Sequence, residues 1–333
     1  MKKIINSADN FVDDVIEGIL LAHPQSLTSA SFDNRALVRT GAPFAGKVGI
    51  VTGGGSGHIP LFLGYVGEGL CTGVAIGNVF SSPSSEQIFA ATQAVDGGAG
   101  VLYLYGNYGG DVFNFDLAAD LAELEDIETA TVIISDDVVS APKERSADRR
   151  GVAGMVFAYK IAGAASERGD SLAEVARLAT KTNEHVRSMG VGLSPTILPA
   201  AGEPTFTLDD GEMEIGIGIH GEPGVHRGAL ETADQITDRL LHEILSDLDL
   251  TVGRSIALMV NGMGATPAEE LYIMFRRARQ VLDDAGISVH RPYIGEYATS
   301  LEMAGASITV LALDDELTGL LDAPAHSPFF EQR

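Results

Sequence analysis

A threefold pattern in the first half of the chain constrains its fold most: a short apolar segment, a loop rich in glycine or serine, then a helical segment. The apolar segments are residues 47–52, 69–78 and 100–105. Buried strands that alternate with helices are typical of parallel α/β sheets, which bind ligands at the carboxyl ends of their strands. The side chains that follow these segments, His58, Ser82 and Asp111, are therefore predicted to lie at one edge of a sheet.

The glycine-rich run at residues 53–58, GGGSGH, matches none of the common nucleotide or nucleophile fingerprints. A Walker A loop would have Lys and then Ser or Thr where this chain has His58 and Ile59. A nucleophile elbow would need glycine at position 58, and the dinucleotide pattern is not completed. The run predicts either a loop that wraps an oxygen-rich ligand or a tight strand-to-helix turn.

A second glycine-rich run, IGIGIHGEPG at residues 215–224, places His220 where an apolar segment stops. Alternating glycines weaken a strand and indicate close approach by backbone or ligand. We expect a strand over residues 213–220 with the imidazole at its end. A structural histidine in a turn is the alternative.

Ser82 and Asp111 also have ordinary interpretations as helix caps. Ser82 stands before a predicted helix, and Asp111 lies at or just before a helix predicted over residues 112–124. Serine and aspartate are both favoured N-cap residues.

The remaining pattern continues the alternation of strands and helices. Further strands are predicted at residues 129–136, 254–260, 287–294 and 307–313, and helices near residue 11 and at 151–168, 171–189, 230–247 and 267–285. A chain of 333 residues fits two domains by length. We expect an α/β fold with two α/β domains, 1–184 and 185–333, each with a mostly parallel sheet flanked by helices.

Charge and cysteine content narrow the possible functions. The formal net charge is −24, which argues against binding nucleic acid because an acidic surface repels phosphate. The single cysteine, Cys71, is expected to be a small core residue in a reducing compartment. Early aspartates interrupt any signal-peptide core, and no apolar run is long enough to span a membrane. A cytoplasmic protein without membrane contact is expected.

In order along the chain, six motifs resemble the substrate-binding K subunit of dihydroxyacetone kinases. They are GGGSGH, NYGGD, GIGIHGEPG, VNGMGATP, TSLEMAG and LDDEL. IHGEPG at residues 219–224 is the most specific, supported by PAAG at 199–202, and the resemblance covers nearly the whole chain. VNGMGATP is expected to be a strand-to-helix turn rather than a direct contact.

The resemblance implies a role for each site residue. His220 matches a histidine that binds the substrate ketone covalently as a hemiaminal, Asp111 matches a general base for the substrate hydroxyl, and His58 matches a residue that hydrogen-bonds the substrate and assists. Gly218 and Gly221 are expected to leave room beside the imidazole. Positions matched to ketose contacts are Gly55, Gly57 and Ser82.

The resemblance also implies what this chain does not carry. No cofactor or metal is expected on it, because the family's nucleotide, ATP or ADP with Mg²⁺, sits on a separate helical partner subunit or domain. Phosphate then comes from ATP or from a phosphotransferase relay, and a homodimer is expected. The alternative is a ketose-binding regulatory module that transfers no phosphate.

Three departures from the family pattern fall near the predicted site: Ile59, Gly106 and Gly109 stand where members often have Glu, Lys and Thr. A wider, less charged pocket mouth is expected, so erythrulose is an alternative to dihydroxyacetone.

Overall fold

The structure is a computed structural model that describes residues 2–250 and 252–333. Its α-helices are α1 (Phe11–Ala22), α2 (Ser85–Val95), α3 (Gly109–Glu123), α4 (Met155–Arg168), α5 (Leu172–His185), α6 (Ala233–Leu248), α7 (Ala268–Asp284) and α8 (Asp315–Asp322). Its strands are β1 (Leu27–Ser29), β2 (Ala36–Arg39), β3 (Gly49–Ser56), β4 (Gly73–Val79), β5 (Val101–Gly106), β6 (Thr129–Ile134), β7 (Val186–Ser194), β8 (Glu212–Ile215), β9 (His226–Ala229), β10 (Ser255–Gly262), β11 (Ser288–Gly295), β12 (Ala304–Leu313), β13 (Ala325–His326) and β14 (Glu331–Gln332). The predicted α/β class, with two main sheets flanked by helices, is confirmed.

The first compact unit comprises residues 2–134, 158–181 and 319–333. Its main sheet has the order β1-β2-β4-β3-β5-β6, and β4, β3, β5 and β6 run parallel. Parallel strands end at the same edge, so the carboxyl ends of β3, β4 and β5 lie together. Fully buried side chains from these strands, among them Val51, Ala75 and Tyr103, form one core cluster with residues of α2 and α3 such as Phe115. Cys71 is completely buried in this unit, as predicted for a core residue.

The second unit comprises residues 135–157, 182–250 and 252–318, and its sheet has the order β11-β10-β12-β7-β8-β9. The prediction of a mostly parallel sheet is wrong here, since only β10 and β11 pair in parallel and the other four pairings are antiparallel. The physical reason is that an additional strand, β7, follows α5 without a loop. This strand was not predicted. It pairs with β12, which in turn lies antiparallel against β10.

The unit division differs from a single boundary after residue 184. Residues 135–157 belong to the second unit, and residues 319–333 belong to the first. Each of these segments packs with residues that are distant from it in the sequence. Local sequence patterns carry no information about such contacts.

One buried ion cluster anchors α6 to its own unit. Arg149 donates to both carboxylate oxygens of Asp247 over 2.9 and 2.6 Å, and Arg187 Nε donates to Asp247 Oδ1 over 2.5 Å. The Arg149 side chain is 1% exposed and that of Asp247 is 10% exposed. Burial raises the pKa of Asp247, but the hydrogen bonds and charges of both arginines outweigh it and hold that pKa at about 2.

Within the two described ranges, no helix combines the length and the apolar character needed to cross a bilayer.

Candidate functional site

The glycine-rich run after residue 52 is strand rather than loop. β3 continues through Ser56, so residues 53–56 form neither the ligand loop nor the tight strand-to-helix turn that the sequence predicted. The glycines serve backbone packing, since a Cβ on Gly55 would lie 2.6 Å from Ser81 N and 2.8 Å from Phe80 Cα. Any side chain at position 55 would therefore push the segment after β4 away from β3.

His58 lies just beyond the end of β3 and is 1% exposed. Gly57 reaches a φ of +104°, and this turns the chain so that the imidazole stacks on Phe80 with ring centroids 4.9 Å apart. Phe62 meets the same imidazole edge-on at 5.9 Å. Both phenylalanines have positive φ, +64° for Phe62 and +56° for Phe80. Non-glycine residues held in this conformation cluster at functional sites, which supports a functional role for His58.

Neither Ser82 nor Asp111 caps a helix, which corrects both cap interpretations. Ser84 is the N-cap of α2 and forms a capping box with Gln87. α3 begins at Gly109 after Tyr108, so Asp111 is its third residue. The carboxylate therefore sits in the first turn, where the helix dipole favours negative charge.

Ser82 instead packs against the first turns of α3. Its Oγ accepts a hydrogen bond from Asn114 Nδ2 over 3.1 Å and donates to the Pro83 carbonyl. A Cβ on Gly110 would lie 3.3 Å from the Ser82 Cβ. The structure thus brings Ser82 beside the helix turn that carries Asp111, with His58 linked to the same segment through Phe80.

Tyr105 is a candidate that sequence reasoning missed. It is fully buried in β5 and stacks on Phe115 at 4.0 Å. Burial raises the pKa of its phenol strongly, and the negative charges of Asp116 and Asp111 raise it further. Among the described residues its hydroxyl has no hydrogen-bond partner. The phenol therefore stays protonated at neutral pH, and its hydrogen is available to donate. In the sequence, Tyr105 is marked only by its place as the last tyrosine before the NYGGD motif.

His220 belongs to the second unit and lies in the turn between β8 and β9. The predicted strand over residues 213–220 ends at Ile215, because Gly216 adopts a φ of +79° and leaves the sheet. The turn is closed by hydrogen bonds from Gly218 N to Glu222 O and from Gly224 N to Glu214 Oε1. The imidazole is held in a turn of fixed shape and is 23% exposed.

Glu222 fixes the protonation pattern of His220 and was also missed. His220 Nδ1 lies 2.7 Å from Glu222 Oε1, and the His220 amide donates to Glu222 Oε2. Burial raises the pKa of Glu222, but hydrogen bonding and charge from His220, with the charge of Arg150, lower it to about 2. An ionised carboxylate only accepts, so Nδ1 carries the proton and Nε2 carries the lone pair. A neutral imidazole with this tautomer is a nucleophile at Nε2.

Gly218 makes room for Glu222 and Arg150, which corrects the expectation that it clears space for a ligand. A Cβ there would lie 2.0 Å from Glu222 Oε2 and 2.5 Å from Arg150 Nη1. Gly221 has a φ of +92°, and its Cβ would meet Thr205 at 2.8 Å. Both glycines are required by the turn itself.

The VNGMGATP motif shapes a neighbouring turn, as expected for a structural element. Asn261 is 1% exposed, and its Oδ1 accepts from the amides of Tyr297 and Ala298. By contrast, packing does not require the small residue at Gly109, since a Cβ there has nothing within 4 Å among the described residues.

Among residues 2–250 and 252–333, no group of three or more His, Cys, Asp or Glu side chains is arranged to hold a metal ion.

This chain is similar to one family model and to several known proteins. Residues 17–329 match the family model described as the Dak1 domain. The chain is 42% identical over 331 residues to the PTS-dependent dihydroxyacetone kinase 2, dihydroxyacetone-binding subunit DhaK, of Listeria innocua, covering 99% of each. It is 40% identical to the L-erythrulose 1-kinase of Mycolicibacterium smegmatis, covering all of this chain and 58% of that protein.

Among solved structures, the dihydroxyacetone kinase operon co-activator Dha-DhaQ is similar with a TM-score of 0.89 and 31% identity, covering 96% of this chain and 98% of that one. The family model spans nearly the whole chain, and two of these relatives are 40% and 42% identical to it. The protein belongs to the Dak1 domain family.

Proposed function

We propose that this chain is the ketose-binding subunit of a ketose kinase, and that His220 attaches the substrate covalently while Asp111 accepts the proton of its hydroxyl. The observation that carries the proposal is the 2.7 Å contact between His220 Nδ1 and Glu222. That contact selects the one tautomer in which Nε2 can add to a carbonyl carbon.

The covalent step balances as follows. The Nε2 lone pair forms a bond to the ketone carbon, the carbonyl π electrons move to oxygen, and that oxygen takes a proton from water. The imidazole becomes positively charged and keeps its Nδ1 proton, and the Glu222 carboxylate compensates this charge. A polyol such as glycerol has no carbonyl and cannot form this bond, so attachment discriminates in favour of ketoses.

Phosphorylation then requires an oriented hydroxyl and an acceptor for its proton. Asp111 is such an acceptor at the edge of the first unit's sheet, and His58 and Ser82 flank it as substrate contacts. The phosphoryl donor is proposed to be a helical partner subunit that holds ATP or ADP with Mg²⁺. The name of the Listeria innocua relative, PTS-dependent, favours a relay donor over free ATP.

The substrate is proposed to be dihydroxyacetone or erythrulose. Gly109 keeps open space where a larger side chain would fit, which suits a four-carbon ketose. A relative at 40% identity is named as an L-erythrulose 1-kinase.

A second candidate function is a ketose-binding regulatory module. The structural similarity to an operon co-activator favours it. The presence of Asp111 favours the kinase, because a sensor needs His220 and a pocket but no base.

The covalent attachment can be tested by mass spectrometry of the intact protein under native conditions and by a crystal soak. Protein incubated with dihydroxyacetone or erythrulose is expected to gain the mass of one ketose, and the soaked crystal is expected to show the adduct at His220. His220→Ala is expected to lose both the adduct and the preference for ketoses over glycerol. A variant that keeps that preference would exclude covalent attachment as its source.

Calorimetry on the isolated chain tests the proposal that the phosphoryl donor binds to the partner subunit and not to this chain. We expect no tight ATP binding and no phosphate transfer until the partner subunit is added. Tight ATP binding without the partner would contradict a donor held elsewhere.

A further inference from the structure

A buried ion pair lies behind the His220 turn. Asp137 is 3% exposed, and its Oδ2 accepts from Arg150 Nε over 2.9 Å and from Arg150 Nη2 over 2.8 Å. The Arg150 backbone is fixed as well, because its amide donates to Ser140 Oγ and its carbonyl accepts from the Asp137 amide. The guanidinium therefore has one defined position.

From that position Arg150 reaches both ends of the turn that carries His220. Its Nη2 donates to the Gly216 carbonyl over 3.1 Å, at the residue where the chain leaves β8. Its Nη1 lies 4.0 Å from Glu222 Oε2, the oxygen that accepts from the His220 amide. One planar side chain thus connects the start of the turn with the carboxylate that holds the imidazole.

The turn needs such a support because its own backbone is permissive. Glycines at 216, 218 and 221 give the unfolded segment many conformations and contribute no side-chain packing. Without the guanidinium, the Glu222 carboxylate would lose its cationic neighbour and the Gly216 carbonyl its donor. The carboxylate could then rotate away from Nδ1, and the imidazole would populate the tautomer that is protonated at Nε2.

We infer that Arg150, anchored by Asp137, is a positioning residue that keeps Glu222 on His220 Nδ1 and so keeps Nε2 nucleophilic. This inference rests on the proposed function of His220 as the covalent attachment point. It adds that the reactivity of His220 depends on a residue 70 positions earlier in the chain that contacts Glu222 and Gly216.

The charged groups around the guanidinium are consistent with this role. Asp137 and Glu222 face it from two sides, and Asp136 neighbours Asp137. Burial and the negative charge of Asp136 raise the pKa of Asp137, and the charge and hydrogen bond of Arg150 oppose that rise. Glu214, in the same hairpin, pairs with Arg227 rather than with Arg150, so Arg227 provides a matched control.

The first test reads the tautomer directly and needs no ketose. In ¹⁵N-labelled full-length protein, long-range ¹H–¹⁵N correlation spectra assign His220 by comparison with His220→Ala. The wild type is expected to show protonated Nδ1. Arg150→Gln is expected to shift the population toward protonated Nε2, whereas Arg227→Gln, which removes a cation from the same hairpin, should leave the spectrum unchanged.

The second test measures the fraction of protein that carries the adduct, by native mass spectrometry, over a range of dihydroxyacetone concentrations. Misplacement of a reacting group by a fraction of an ångström to an ångström costs up to about 100-fold, so we expect Arg150→Gln to weaken apparent ketose affinity about 10- to 100-fold. If Arg150 acts through Glu222, then adding Arg150→Gln to a Glu222→Gln background should cause little further loss. Arg150→Lys keeps the charge but not the fork, and should recover only part of the affinity.

These measurements distinguish the proposed covalent role of His220 from the positioning role of Arg150. Absence of any adduct in the wild type would overturn the proposed function, while the tautomer spectra would still test Arg150. Fully additive losses in the double variant, or an unchanged His220 tautomer in a folded Arg150→Gln or Arg150→Lys protein, would overturn the role of Arg150.

Discussion

Asp111→Asn is expected to lower phosphorylation by about 10²- to 10⁴-fold in the presence of the partner subunit, the usual range for loss of general-base assistance. The ketose adduct at His220 should still form with near-normal affinity, because asparagine keeps the size of the side chain and a hydrogen bond but not the basicity. Comparing turnover with the fraction of protein that carries the adduct in native mass spectrometry separates chemistry from binding.

The position of Asp111 calls for a control on helix stability. As the third residue of α3 it interacts favourably with the helix dipole, which contributes about 0.3–1 kcal/mol at an exposed site. Glu86→Gln removes an acid from the first turn of α2 in the same way and should leave turnover unchanged. Near-normal turnover in Asp111→Asn would exclude it as the base and direct the search to His58.

Asp247→Asn is expected to destabilise the second unit by about 3–5 kcal/mol, the range found when one partner of a buried ion pair is removed. The substitution would leave Arg149, which is 1% exposed, and Arg187 without their carboxylate. Urea unfolding followed by hydrogen exchange of α6 peptides reports on this unit separately, as is needed when a chain has more than one unit.

The matched control is Asp283→Asn, which breaks the exposed pair between Asp283 and Arg279 in α7. Such surface pairs contribute at most about 1 kcal/mol.

The pH dependence of folding stability gives a second test of the role of Asp247. Because the pKa of Asp247 is lowered to about 2 in the folded protein, its contribution is complete above the ordinary aspartate pKa and is lost as pH falls toward 2. The Asp247→Asn protein should therefore lose less stability than the wild type over that acid range.

The sequence predicted most strands and helices of the first unit and the edge at which His58, Ser82 and Asp111 lie. It succeeded there because strand, turn and helix alternate, and because parallel strands bring their carboxyl ends to one edge. It failed for the second sheet, where β12 is buried on both faces and its apolar run is interrupted only by Ser307 and Thr309. Such a run looks the same whether its neighbours are parallel or antiparallel.

The finer features of the site depend on backbone conformation and on distant contacts. The alternating IGIGI pattern resembles a strand, yet the positive φ of Gly216 ends β8 one residue into it. The roles of Glu222 and Arg150 were not predicted, because a carboxylate two residues from a histidine and an arginine in a polar segment have no distinctive spacing. Gly218 was expected to leave space for a ligand, whereas Glu222 and Arg150 fill that space.

Because Cys71 is buried, the rate at which its thiol is alkylated can report on the local stability of the first unit. The thiol is completely buried, and burial raises its pKa well above the usual range, so an alkylating reagent can react only when this part of the first unit opens. Under conditions in which closing is faster than alkylation, the labelling rate gives the opening equilibrium constant of that region. Since the chain has one cysteine, a single mass shift per molecule counts these openings under native conditions, without denaturant and without an engineered label.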